Sequence, residues 1–147
     1  MQTQLHNRTD AEIITLAFKN VDGSGSITTG AAVALVSAGA SIDGISSVNA
    51  TGALIKGFCG VAKADVAIND FGKATAWGLA NSVLISHVGT SITITAGDTL
   101  KPGAVAGTFF SSLTDQALST LLYRYVYTAD TVTVSARAFV RGIVKAL

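Results

Sequence analysis

This sequence predicts an all-β fold, a compact β-barrel or β-tulip-like sandwich of short strands, and three observations carry the prediction. Fifteen glycines and a single proline punctuate the 147 residues at short intervals. The runs between them are rich in Val, Ile, Thr and Ala, the composition of strands joined by turns. The C-terminal stretch alternates with period two. From Val132 to Val144 the even positions are small and apolar (Val132, Val134, Ala136, Ala138, Val140, Gly142, Val144), and the odd positions carry Thr133, Ser135, Arg137, Phe139, Arg141, Ile143 and Lys145. A strand sorts these residues onto two faces, which a helix would not do.

The elements follow in chain order. Met1–Arg8 is polar, with one leucine, and is expected to form an extended arm ahead of a single domain spanning residues 9–147. It has no apolar core of a signal peptide, so no secretion signal is expected. Residues 9–21 read two ways. Thr9-Asp10-Ala11-Glu12 matches a helix capping box, whereas Ile14, Leu16 and Phe18 alternate as in a strand, which is the preferred reading. Strands are expected over Ile55–Ala62, Lys73–Leu79, Val83–Val88 and Ser91–Thr95, the last ended by Ala96-Gly97-Asp98. Lys101-Pro102-Gly103 reads as a turn that uses the fixed φ of proline. Ser112–Ser119 can hold a helical turn capped by Ser112 or Thr114. Leu121–Tyr127 reads as a strand with Tyr123, Tyr125 and Tyr127 on one face, and Val132–Lys145 closes the chain as a strand.

Composition narrows the function. Only 13% of residues are charged, about half the usual share of roughly 25%, and mean hydropathy is +0.51. The longest uncharged apolar run, Ala31–Val36, is far short of the roughly 18 residues that a membrane helix needs. A charge-poor chain of this kind implies a subunit packed against neighbours, because large apolar patches mark partner contacts. Net charge of +1 offers no field for nucleic acid or anionic lipid, so neither is an expected partner.

Chemistry is sparse. Asn20-Val21-Asp22-Gly23-Ser24-Gly25-Ser26-Ile27 is similar to the start of an EF-hand loop, but the twelfth position, where a bidentate Glu belongs, is Ala31. A Gly/Ser/Asp turn is the preferred reading, and no metal is expected. His6 lies in the arm and His87 at a strand end, with no Gly-x-Ser-x-Gly elbow, P-loop or Cys/His metal spacing. Neither catalytic residues nor a cofactor are expected. Cys59 is the one cysteine, read as an inert core residue. Trp77 is read as a core anchor or subunit contact in preference to a sugar platform.

Several segments carry a resemblance. Gly60-Val61-Ala62-Lys63-Ala64-Asp65-Val66-Ala67, Phe71–Gly78, Ala96-Gly97-Asp98-Thr99-Leu100 and the closing Ala138–Ile143 are similar to a recurring pattern in head decoration (cement) proteins of tailed bacteriophages, and Asn7-Arg8-Thr9 resembles their N-terminal arm. Residues 118–130 depart from that pattern. The resemblance implies a structural virion protein, not an enzyme. It would be made in the host cytoplasm, bind the major capsid protein on the capsid exterior as a homotrimer or other oligomer, and stabilise the shell non-covalently. The capsid-binding arm would then be Gln4, Leu5, His6, Asn7 and Arg8. A subunit interface is expected on the odd face of the last strand, at Arg137, Phe139, Arg141 and Ile143, since interfaces combine aromatic anchors with arginine. The rival readings are a tail or connector component and a carbohydrate-binding β-domain for host attachment.

Overall fold

The structure, a computed structural model, describes residues 13–36, 44–50, 57–86, 91–103, 109–111 and 126–146. The arm residues Gln4–Arg8, His87, Tyr123, Tyr125 and the expected turn at Ser112–Ser119 lie outside these. The described residues form an all-β fold of short strands. They are β1 (Ile14–Asn20), β2 (Ala32–Leu35), β3 (Ser46–Asn49), β4 (Phe58–Ala62), β5 (Phe71–Ser86), β6 (Ile92–Ile94), β7 (Thr99–Pro102), β8 (Phe109–Ser111), β9 (Val126–Thr128), β10 (Val132–Val134) and β11 (Arg137–Lys145).

One long strand organises the rest. β5 runs for 16 residues. Its first half pairs antiparallel with β1 on one edge and β4 on the other. With β3 and β2 these strands close a five-stranded barrel in the order β1-β3-β2-β4-β5. Its second half pairs with β11, and the path β11-β9-β7-β8 returns to β5 through the single Ile85–Phe109 pairing. Closure on both sides removes most of the unpaired edge that short strands would otherwise expose. A separate two-stranded ribbon of β6 and β10 adds Ile94 and Val134 to the core.

Two apolar clusters fill the interior. Phe18, Ile27, Val33, Cys59, Val66 and Ala74 pack inside the barrel. Phe58, Val61, Val83, Ile85, Ile94, Leu100, Val126, Val140 and Val144 form the second cluster. β2 and β4 divide the two. Ala32 and Ala34 face one cluster and Val33 the other, so β2 is apolar on both faces and shows no alternation.

The reading of residues 9–21 resolves to strand over Ile14–Asn20. Three expectations are corrected. Lys73–Leu79 and the described part of Val83–Val88, residues 83–86, belong to one strand, not two. Gly78, at φ 96°, is absorbed within β5, and Asn81 and Ser82 together face Arg141, because Val83 pairs with Val140 and Ala80 with Gly142. The Asn81–Ser82 irregularity is a bulge, which bends a strand without ending it. Conversely, Val132–Lys145 is two strands. A bend at Ser135–Ala136 separates β10 from β11, and Ala136 is exposed instead of facing the core. Lys101-Pro102 continues β7 instead of turning, with Lys101 paired to Phe110 and Pro102 to Phe109. Pro102 is the last residue of its strand.

Candidate functional site

β5 and β11 share an inverted pattern. Along β5 the even residues Gly72, Ala74, Ala76, Gly78 and Ala80 are small, while the odd residues Phe71, Lys73, Thr75, Trp77 and Leu79 are large or polar. Along β11, Val140, Gly142 and Val144 are buried, while Arg137, Phe139, Arg141, Ile143 and Lys145 are exposed. The interior admits only small groups at several of these positions. A Cβ on Gly72 would lie 2.3 Å from Val66 Cγ2, and one on Gly142 2.7 Å from Val126 Cγ1. Along Phe71–Ala80 and β11 the large apolar side chains Phe71, Trp77, Leu79, Phe139 and Ile143 therefore point outward, whereas Leu84 and Ile85 at the end of β5 are buried.

Strand register assembles them into one face. β1 sets Lys19 opposite Phe71, Ala17 opposite Lys73 and Ile14 opposite Trp77. β11 sets Lys145 opposite Trp77 and Ile143 opposite Leu79, and β9 adds Tyr127 opposite Ile143. Neighbours in register lie about 5 Å apart, within side-chain contact. Ile14, Trp77, Leu79, Ile143 and Tyr127 thus form a contiguous apolar patch. Trp77 is 36% and Ile143 45% exposed. The core-anchor reading of Trp77 is therefore corrected: its ring stands on the outside of the sheet, because the odd face of β5 points away from the barrel. Lys145 Nζ lies 5.8 Å from the Trp77 ring centroid and 5.1 Å from that of Tyr127, held by cation–π attraction. Lys19 Nζ lies 6.0 Å from the Phe71 ring at the far end of the same face.

The four residues expected at a subunit interface all lie on exposed positions of β11. Phe139 is 59% exposed. One edge of its ring lies over Gly30, where a Cβ would come within 3.2 Å of it. Arg141 is engaged within the chain. Its guanidinium donates to both Asp130 carboxylate oxygens, and its backbone N–H donates to Asp130 Oδ2 at 3.0 Å. The guanidinium's hydrogen bonds hold the Asp130 carboxyl below its ordinary range. Residue-by-residue reading of the last strand found Phe139 and Ile143 and placed Lys145 on their face, but missed Ile14, Phe71, Leu79 and Tyr127. The small-even, large-odd pattern of Phe71–Ala80 was the available signal for the β5 part. The β1 and β9 members depend on pairing that no local pattern encodes.

The Asn20–Ile27 turn is a structural knot. Asp22 Oδ1 accepts the Ser24 N–H at 2.9 Å and the Ser24 hydroxyl. Oδ2 accepts the Asn49 N–H at 3.0 Å and its Nδ2 at 2.9 Å. Asn20 Nδ2 donates to Val66 O at 2.9 Å and Gly25 O at 3.2 Å, and Asn20 Oδ1 accepts the Asp22 N–H. Burial alone would raise the Asp22 pKa, but the donors from Ser24 and Asn49 outweigh it and hold the carboxyl below the usual carboxylate range. Both oxygens are thus committed, and Ala31, at the place of the absent Glu, is fully buried among apolar groups. Calorimetric titration is expected to detect no calcium binding at micromolar affinity; a micromolar site would overturn this assignment. Burial pushes the Cys59 thiol up to about 11, so it is a poor nucleophile at neutral pH.

No protein-family model matches the chain, and no curated protein is similar to it in sequence.

Proposed function

We propose that this protein is a structural assembly subunit, of the kind that decorates the outside of a tailed-phage capsid and stabilises it non-covalently. The single observation that carries this reading is the exposed apolar face of β1, β5, β9 and β11, on which Ile14, Phe71, Trp77, Leu79 and Ile143 stand outward. A face of that composition is a docking surface. Covering about 400 Å² of it at about 25 cal/mol per Å² would supply about 10 kcal/mol before the cost of association. Repetition over a capsid lattice multiplies that gain. The mechanism is burial and shape, with no covalent step. The site of action would be the capsid exterior, the partner the major capsid protein, and self-association, as a trimer, would accompany lattice binding.

Binding to purified capsids of the virus that encodes the chain tests this directly. The intact protein is expected to co-sediment with the particles and raise their melting temperature. Ile143→Asp, which places a carboxylate in the middle of the patch, is expected to weaken particle binding about 100-fold while leaving the circular dichroism melt nearly unchanged, because Ile143 contributes little to the core. Phe139→Ala is expected to weaken binding less, with a stability loss well below the roughly 3–5 kcal/mol of a buried Phe. Sedimentation velocity of the free protein reports the oligomer. Full decoration by Ile143→Asp would remove the face from the mechanism.

A carbohydrate platform is a second reading, favoured by Trp77 and Tyr127 flanking Lys145 on the outside of the sheet. The aliphatic Ile14, Leu79 and Ile143 beside them favour a protein partner. A glycan array separates the two, since the docking reading expects no specific glycan.

A further inference from the structure

Among the described residues, the charges borne by the strands of this face are of one sign. No described strand contains an Asp or Glu, whereas β1, β5 and β11 carry Lys19, Lys73, Arg137, Arg141 and Lys145. The described acidic residues, Asp22, Asp65, Asp70, Asp98 and Asp130, all lie between strands. Four of them are committed locally: Asp22 to Ser24 and Asn49, Asp65 to Thr29, Asp98 to the Thr95 N–H, and Asp130 to Arg141. Among the described residues, Lys19, Lys73, Arg137 and Lys145 pair with no carboxylate. Aromatic rings hold Lys19 and Lys145 at the level of the patch, and a cation–π contact positions an ammonium without neutralising it.

We infer that this face receives an acidic protein surface belonging to a partner other than this chain: aliphatic side chains that cover Ile14, Trp77, Leu79 and Ile143, ringed by carboxylates that meet Lys19, Lys73 and Lys145. The inference rests on the docking reading above and adds the partner's chemistry. Two copies of this chain placed face to face about a two-fold axis would bring Lys145 and Lys73 toward their own counterparts, since an isologous contact pairs a patch with itself. Like charges pressed together cost affinity that unlike charges would recover. Single-stranded nucleic acid also fits a cationic surface with aromatics. However, Ile14, Leu79 and Ile143 beside Trp77 offer a base no stacking plane, and Lys145 stands between Trp77 and Tyr127. Phe71 is six residues from Trp77, about 20 Å along an extended strand, too far for successive bases to bridge the two rings.

The chain holds one tryptophan, and it lies in the patch, so Trp77 emission reports occupancy of the face in the intact protein. The probe is a synthetic peptide alternating glutamate with valine. Its lysine–valine counterpart and a fifteen-nucleotide oligothymidylate serve as competitors. The acidic peptide is expected to shift Trp77 emission to the blue and to bind about tenfold more weakly when salt rises from about 50 mM to about 0.5 M. Lys73→Glu and Lys145→Glu are each expected to weaken it about fivefold. Thr93→Glu, on the separate β6–β10 ribbon, should leave it unchanged. Circular dichroism keeps a folding defect separate from a binding one. Three outcomes would overturn the inference: no binding of the acidic peptide, equal or tighter binding of the lysine peptide or the oligothymidylate, or Trp77 already shielded from acrylamide in the free protein, by a second copy or by the chain's own residues. If capsid binding is lost in Ile143→Asp but indifferent to Lys73→Glu and Lys145→Glu, the docking face stands and the acidic partner falls.

Discussion

Gly60→Ala is expected to lower stability by about 4 kcal/mol, a large share of the roughly 5–15 kcal/mol that holds a domain folded. Gly60 sits in β4 at φ 155°, and a Cβ there would lie 2.5 Å from the Thr75 carbonyl oxygen and 3.2 Å from Ala74 Cβ. The first of these neighbours is backbone. It cannot yield without disturbing Val61–Thr75 and Ala62–Ala74 in the β4–β5 pairing and Thr15–Thr75 in the β1–β5 pairing, and both pairings close the barrel. Conformational strain at a residue held outside its favoured region adds about 1–3 kcal/mol, and overpacking a buried wall adds a similar amount. At this chain length the Tm is expected to fall by about 10 °C. Gly23→Ala is the control, because nothing lies within 4 Å of its Cβ position, and it should change stability by less than about 0.5 kcal/mol. Thermal and urea unfolding of the two variants measure the difference. Equal stabilities would mean that β4 and β5 do not approach each other as described.

Asp22→Ala is expected to cost about 3 kcal/mol at neutral pH. It strips the acceptor from four donors at once, two on Ser24 and two on Asn49. Hydrogen bonds to a charged group contribute about 1.5–3 kcal/mol each, and donors that cannot regain water lose more. Asp22→Asn should be nearly as damaging, since its amide would present a second donor to Asn49. The effect depends on pH with a definite sign. The folded carboxyl titrates below its ordinary value, so above about pH 4, the unfolded value, the stabilisation is fully present. As pH falls, the unfolded chain binds the proton first, and the stabilisation is lost through the folded pKa. Asp65 and Asp130 are also held below their ordinary values, so the whole protein should weaken in acid. The gap between native protein and Asp22→Ala isolates Asp22. It should be widest at pH 7 and shrink toward pH 3 in urea unfolding. A gap independent of pH would mean that Asp22 acts through packing and not as a carboxylate.

Much of this was legible along the chain because side-chain alternation is a local property. Val140, Gly142 and Val144 face inward and Phe139, Arg141 and Ile143 outward as period two requires. Gly97, at φ 93°, ends the β6 region as the Ala96-Gly97-Asp98 turn predicts. The misjudged features share a different origin. Gly78 and Asn81-Ser82 look like strand ends, yet Gly78 pairs in register with Val144 and Asn81-Ser82 forms a bulge, because β11 runs past them and keeps β5 paired. Ser135-Ala136 continues the alternation in sequence but bends, because β10 pairs with β6 while β11 pairs with β5. Pro102 looks like a turn and ends a strand instead, because β8 lies beside it.

The sequence by itself determined that the chain is all-β, that its charges are few, and which side of its last strand is small and apolar. Those properties reside in residue type and spacing, which act over a few neighbours. Only the tertiary structure decided that β5 is one strand shared by two closed paths, that Trp77 stands outside the sheet, and that Ile14, Leu79, Ile143 and Tyr127 meet around it. Those outcomes depend on pairings between segments far apart in the chain, such as Ile14 with Trp77 and Tyr127 with Ile143. Burial is set by what another strand covers, and no alternation within one strand carries that information.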